Sequence, residues 1–162
     1  MTLYYNNDSV TIIMRYRITL TEVIEMIKLL YGAKGSGKTG RIVDLANQTA
    51  QNCDGEVVFL TDTEKYLHRL NYNVRLINVC DYDICTVLGL SGFIRGIIAG
   101  NHDVTDIFID GVHRMTNTDV GNLGELFASL EKYANKHDVN IVCTVSTDTL
   151  PEFLTKYANE KV

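Results

Sequence analysis

Eight consecutive residues, Gly32-Ala33-Lys34-Gly35-Ser36-Gly37-Lys38-Thr39, follow the spacing G-x-x-x-x-G-K-[ST] of a phosphate-binding loop. Glycines at 32, 35 and 37 let the backbone curl so that successive N–H groups face one concavity. The N-terminus of a following helix adds partial positive charge to that cradle. Lys38 can then reach the β- and γ-phosphates of a nucleotide, while the Thr39 hydroxyl offers an oxygen to Mg²⁺. The candidate nucleotide-binding set is therefore Gly32, Ala33, Lys34, Gly35, Ser36, Gly37, Lys38, Thr39 and Gly40.

A second chemical position lies about seventy residues further on, where the apolar run Asp106-Ile107-Phe108-Ile109 closes on Asp110. A carboxylate at such a strand end has the form of a Walker B aspartate, which holds the Mg²⁺ of a bound nucleotide. Thr39 and Asp110 are the candidate metal pair. Gly111 follows, so no glutamate stands directly after the aspartate to activate water. Thr61-Asp62-Thr63-Glu64 offers two carboxylates at the end of another apolar run.

The elements that must position these groups are legible from periodicity. Ile27-Lys28-Leu29-Leu30-Tyr31 leads into the loop as a strand, and Ile42, Leu45, Ala46, Thr49 and Ala50 lead out at helical spacing. Residues 56–61, 74–79, 106–110 and 140–146 read as further strands, the 74–79 run as an edge strand. Helical stripes mark Val87-Leu90-Ile94-Ile97 and Leu123-Leu126-Phe127-Leu130-Ala134. Thr149-x-x-Glu152 with Pro151 predicts a last helix reaching about Asn159. Strands alternating with helices predict a three-layer α/β fold of the P-loop NTPase kind, a mostly parallel sheet of about five strands covered on both faces. Ligands in such sheets sit beyond the carboxyl ends of the strands.

Over roughly residues 26 to 150 the order of elements resembles the RecA-like ATPases, with the phosphate loop as the specific feature. In them a strand ends in a short Asp-x-Glu motif, followed by an edge strand, a helix, a Walker B strand and another helix. Phe59-Leu60-Thr61-Asp62-Thr63-Glu64 matches that form and order. The resemblance implies ATP and Mg²⁺ as ligands, hydrolysis of the terminal phosphate, and Glu64 as the base that polarises water beside Lys38. The family's polar sensor after the last strand, commonly Gln, is replaced here by Ser146, Thr147 and Asp148, and the final strands of a full core are missing. No arginine finger is evident, so intrinsic turnover is expected to be slow. The chain is also similar to short bacterial P-loop proteins, some of them labelled as twitching-motility ATPases of the PilT kind, though the Asp and His boxes of secretion ATPases are not apparent.

Several other features set limits. With 162 residues and 46% hydrophobic content, one globular domain has enough apolar mass for a sizeable core. No apolar run is long enough to span a bilayer, and a net charge of −5 without a dense Lys/Arg stripe disfavours nucleic acid. Cys53, Cys80, Cys85 and Cys143 form no C-x-x-C pair and read as free thiols of a cytoplasmic protein. Residues 1–25 are expected to be either a translated leader ahead of a start at Met26 or an extra N-terminal strand, with 26–162 as the nucleotide-binding domain. Codons for Thr21-Glu22-Val23 can spell a ribosome-binding GGAGGT ahead of Met26, if the source is bacterial.

Asn135-Lys136-His137-Asp138 spells N-K-x-D, which reads guanine in GTPases, but here it ends a helix and precedes a strand, at the wrong edge of the sheet. His113 and Arg114 are expected to form a solvated turn, with a trans-acting contact as the alternative. A P-loop strand left open at the sheet edge would accept a second copy of the chain, another protein or residues 1–25. Two other functions stay open: a kinase acting on a small acceptor, and a nucleotide-gated binding module that does not hydrolyse.

Overall fold

The computed structural model describes residues 25–162, so both expectations for the leading segment fall outside the described residues, Glu25 apart. Six strands run β1 (Ile27–Gly32), β2 (Glu56–Thr61), β3 (Val74–Asn78), β4 (Val104–Ile109), β5 (Asn140–Ser146) and β6 (Ala158–Lys161). Five α-helices are α1 (Lys38–Asn52), α2 (Val87–Gly100), α3 (Val112–Met115), α4 (Gly124–His137) and α5 (Glu152–Thr155). All pairings are parallel, in the order β3-β2-β4-β5-β1-β6. The α/β class and the P-loop NTPase type of layering are as the sequence predicts.

Alternation along the strands sorts side chains onto two faces. Leu30, Val57, Phe59, Phe108 and Val142 pack with Ile42, Val43 and Ala46 of α1. Leu29, Val58, Leu60, Ile107, Ile109, Ile141 and Cys143 point the other way, onto Leu90, Ile94 and Ile98 of α2 and Leu126, Phe127, Leu130 and Ala134 of α4. The near-continuous apolar runs of the strands follow from burial on both faces. Cys143 is fully enclosed, which pushes its thiol pKa up and leaves it inert. No helix among the described residues is long and apolar enough to cross a membrane.

The carboxyl-terminal segment departs from expectation. Helix α5 stops at Thr155 instead of reaching Asn159, and the chain continues as β6. Leu154 and Tyr157 are buried against the α4 side of the core, and Glu131 accepts hydrogen bonds from the Tyr157 hydroxyl at 2.9 Å and from Lys156 at 2.8 Å. With those side chains anchored, the backbone that follows satisfies its polar groups on β1, through Leu29 N to Tyr157 O at 2.8 Å and Val162 N to Tyr31 O at 2.8 Å. A capping-box spacing carries no information about such pairing. The phosphate-loop strand is therefore not an open edge: β6 covers it, as the sixth strand of the sheet among the described residues.

Candidate functional site

The loop after β1 and the ends of β4 and β5 meet beyond the carboxyl edge of the sheet. Two positive-φ glycines, Gly35 at 85° and Gly37 at 102°, turn the backbone, and Gly37 is the residue from which α1 starts. These are conformations that side chains with a Cβ rarely adopt. Lys38 folds back over the loop and is buried. Its ammonium donates to Gly32 O at 2.9 Å, Ala33 O at 2.5 Å and Ser36 Oγ at 3.2 Å. Burial lowers the Lys38 pKa, and the Asp110 and Asp148 carboxylates oppose that shift.

Asp110 reaches this loop because it stands directly after Ile109, the last residue of β4, at the carboxyl edge of the sheet. Its carboxylate accepts a hydrogen bond from Thr39 Oγ1 at 3.1 Å, so two oxygen-bearing side chains 71 residues apart meet. Hard oxygen ligands of this kind, few in number and beside a phosphate cradle, fit Mg²⁺ held jointly by protein and phosphate. Among the described residues there is no group of three His, Cys, Asp or Glu side chains that could hold a metal on its own.

Burying a carboxylate costs several kcal/mol, by general estimates, unless its oxygens are partnered. Thr144 supplies the missing partner. Its hydroxyl donates to Asp110 Oδ1 at 2.9 Å and accepts from the Gly111 amide at 2.7 Å. Strand β5 lies between β1 and β4, and Thr144 shares the α1 face with Val142, two residues before it. Among the small polar residues near the end of β5, Thr144 pins the aspartate, while Ser146 closes the strand and Thr147 lies beyond it. The signal available in the sequence was the even offset of Thr144 from Val142 in a strand of fixed alternation.

Glu64 lies exposed in the loop after β2, with no hydrogen bond or ion pair to the loop, Thr39 or Asp110. The carboxylate of that segment that engages the site is Asp62, which accepts from Arg114 Nε at 2.6 Å and Nη2 at 2.7 Å. Arg114 also donates to Asp110 O at 3.2 Å. It is thus not a free solvated turn residue: one turn of α3 after Asp110 carries it back over the strand end. The Asp62 pair raises the Arg114 pKa further.

His113 is likewise tied to the site. Its Nδ1 is buried and has no hydrogen-bond partner among the described residues. Burial first, then the Arg114 and Lys38 cations, lower its pKa below 6.5, against the raising effect of Asp110 and Asp62. The unfolded chain takes up a proton near the ordinary value and the folded chain does not. The stability contributed by neutral His113 is thus complete above about pH 6.5 and is lost as pH falls below it. His113→Leu is expected to shrink the drop in urea midpoint between about pH 7.5 and 5.5. An unchanged drop would assign the acid sensitivity to the carboxylates instead.

Asn135 to His137 end α4, with Asp138 in the left-handed conformation beyond it, so N-K-x-D sits at the amino end of β5, away from the loop. No family model matches the chain, and no curated protein matches it. Among solved structures, PCH-2 of C. elegans superposes with a TM-score of 0.55 at 17% identity, covering 99% of this chain and 44% of that one. This chain therefore spans less than half of PCH-2, and the likeness is one of fold. It supports a P-loop NTPase-like architecture.

Proposed function

We propose that the chain binds a Mg-nucleotide, ATP, in the loop Gly32–Gly40 and hydrolyses it slowly. The observation that carries this is the convergence of the Lys38 ammonium, the Thr39 hydroxyl and the Asp110 carboxylate on one glycine-turned loop at a helix N-terminus. The likeness in fold to PCH-2 supports the P-loop NTPase-like architecture on which this reading rests.

In this reading the loop amides and Lys38 hold the phosphates, and Thr39 and Asp110 hold Mg²⁺, which when bound neutralises charge on the β- and γ-phosphates. Thr144 keeps the Asp110 carboxylate aimed at the loop. Water would be polarised by a carboxylate after β2; Glu64 is the residue implied by the RecA-like resemblance, and Asp62 is the one the side-chain contacts bring to the site. A second reading, a nucleotide-gated module without turnover, is favoured by Gly111, since no carboxylate directly follows Asp110.

Calorimetric titration with ATP and GTP, each with and without Mg²⁺, tests binding and base preference together. Saturable, Mg-enhanced binding is expected. Absence of heat with either nucleotide would overturn the proposal, and tight binding without phosphate release would select the module.

A further inference from the structure

We propose that Arg114 is the residue by which this site tells a nucleoside triphosphate from a diphosphate, and that Asp62 holds it in waiting until the nucleotide arrives. The inference rests on the proposal that the loop is a nucleotide site. Its first support is the space over Gly111. That residue has φ +84°, and a Cβ there would lie 2.5 Å from Arg114 Cζ and 2.6 Å from both Nη atoms. The guanidinium thus lies against the bare Cα, in the place beside the strand end that a side chain at 111 would fill. Gly111 is compatible with the arginine, and any larger residue displaces it.

The second support is reach. Arg114 Nη2 is 3.6 Å from Asp110 Oδ2, on the carboxylate that takes the Thr39 hydroxyl. Thr39 and Asp110 would hold Mg²⁺, which would neutralise charge on the β- and γ-phosphates of a bound nucleotide. Arg114, beside Asp110, would then stand on the side of the terminal phosphate, the group ADP lacks. Lys38 serves both nucleotides, since it addresses the β-phosphate as well.

The third support is what restrains the arginine. Asp62 grips it through two parallel hydrogen bonds, and the Arg114 side chain keeps 45% of its surface exposed, so its long stem has room to turn. A terminal phosphate competes for the same planar fork, because guanidinium pairs bidentately with phosphate as well as with carboxylate. Turning Arg114 toward the phosphate frees the Asp62 carboxylate to accept a hydrogen bond from water on that side of the site.

Equilibrium titration of the full chain with ADP and with the non-hydrolysable analogue AMP-PNP, both with Mg²⁺, tests this without any turnover. The wild type is expected to prefer the triphosphate. In Arg114→Ala the AMP-PNP affinity should fall roughly tenfold, as for one lost charge-assisted contact, while ADP affinity changes less than about twofold. Asp62→Asn should strengthen AMP-PNP binding by releasing the arginine. Gly111→Ala should reproduce the Arg114→Ala loss with the arginine still present; if it fails to fold, the Arg114→Ala titration decides alone. A preference that survives Arg114→Ala, an equal loss for both nucleotides, or a wild type without preference overturns this assignment and leaves the binding proposal standing. A wild type that binds neither nucleotide overturns both.

Discussion

Lys38→Ala is expected to weaken ATP binding at least about a hundredfold, the equivalent of about 2.7 kcal/mol, with the fold retained. The ammonium is the one buried cation of the loop, and its three acceptors, Gly32 O, Ala33 O and Ser36 Oγ, hold it at the mouth of the cradle. A phosphate arriving there replaces loop acceptors with charged oxygens at no cost in reaching, because the side chain is already folded into position. Loop amides and the helix N-terminus remain in the variant, but they carry partial charges only. The fold should tolerate the change. Lys38 opens α1 at the carboxyl edge of the sheet, and the carbonyls it leaves keep backbone donors, Gly32 O from Thr147 N at 3.0 Å and Ala33 O from Ser36 N at 3.2 Å. Calorimetry of the variant beside a thermal melt separates the two effects. Retention of affinity within about threefold would remove Lys38 from the binding machinery.

Thr144→Val carries the largest expected cost in stability, about 3 kcal/mol. Valine matches threonine in shape, so packing is preserved and the loss is electrostatic. One hydroxyl serves two buried groups: it donates to Asp110 Oδ1 and accepts from the Gly111 amide. Its removal leaves a 1% exposed carboxylate short of a donor and a backbone N–H without an acceptor. A domain of this size should then melt roughly 6–12 °C lower. Under the proposed function Mg²⁺ would supply compensating positive charge at Asp110, so Mg-ATP should restore more stability to the variant than to the wild type. Thr144→Ser keeps the hydroxyl and should recover most of the loss. A Thr144→Val chain that melts like the wild type would mean that water reaches Asp110 and that the threonine is a bystander.

Much of this architecture could be read from periodicity. Apolar runs bounded by turns locate β1 through β5, and stripes at helical spacing locate α1, α2 and α4, because in each case the side chains facing a core must recur at the period of the element. The carboxyl-terminal segment failed that reading for a physical reason. Residues 158–161 carry a polar sequence, Ala158-Asn159-Glu160-Lys161, exposed or half-exposed along their length. What makes them a strand is backbone hydrogen bonding to β1, together with the Tyr157 anchor and the Arg41–Glu160 pair at 2.9 Å. Such pairing has no local signature.

By itself the sequence determined the glycine-turned loop proposed to hold phosphate, since the residue types and spacing from Gly32 to Thr39 are a local property of one turn and one helix start. It also determined Asp110, because a carboxylate closing an apolar strand can be placed without knowing its neighbours. The tertiary structure alone decided which other groups stand around them. Thr144, Asp62, His113 and Arg114 acquire their roles from strand order, which puts β5 between β1 and β4 and sets β2 on the far side of β4. Contacts across strands depend on register and face, and residues such as Asp62 and Arg114, 52 positions apart, meet only when the sheet is assembled. Glu64, two residues from Asp62, shows how fine that decision is: a shift of two residues past the strand end separates a carboxylate gripped by Arg114 from one left in solvent.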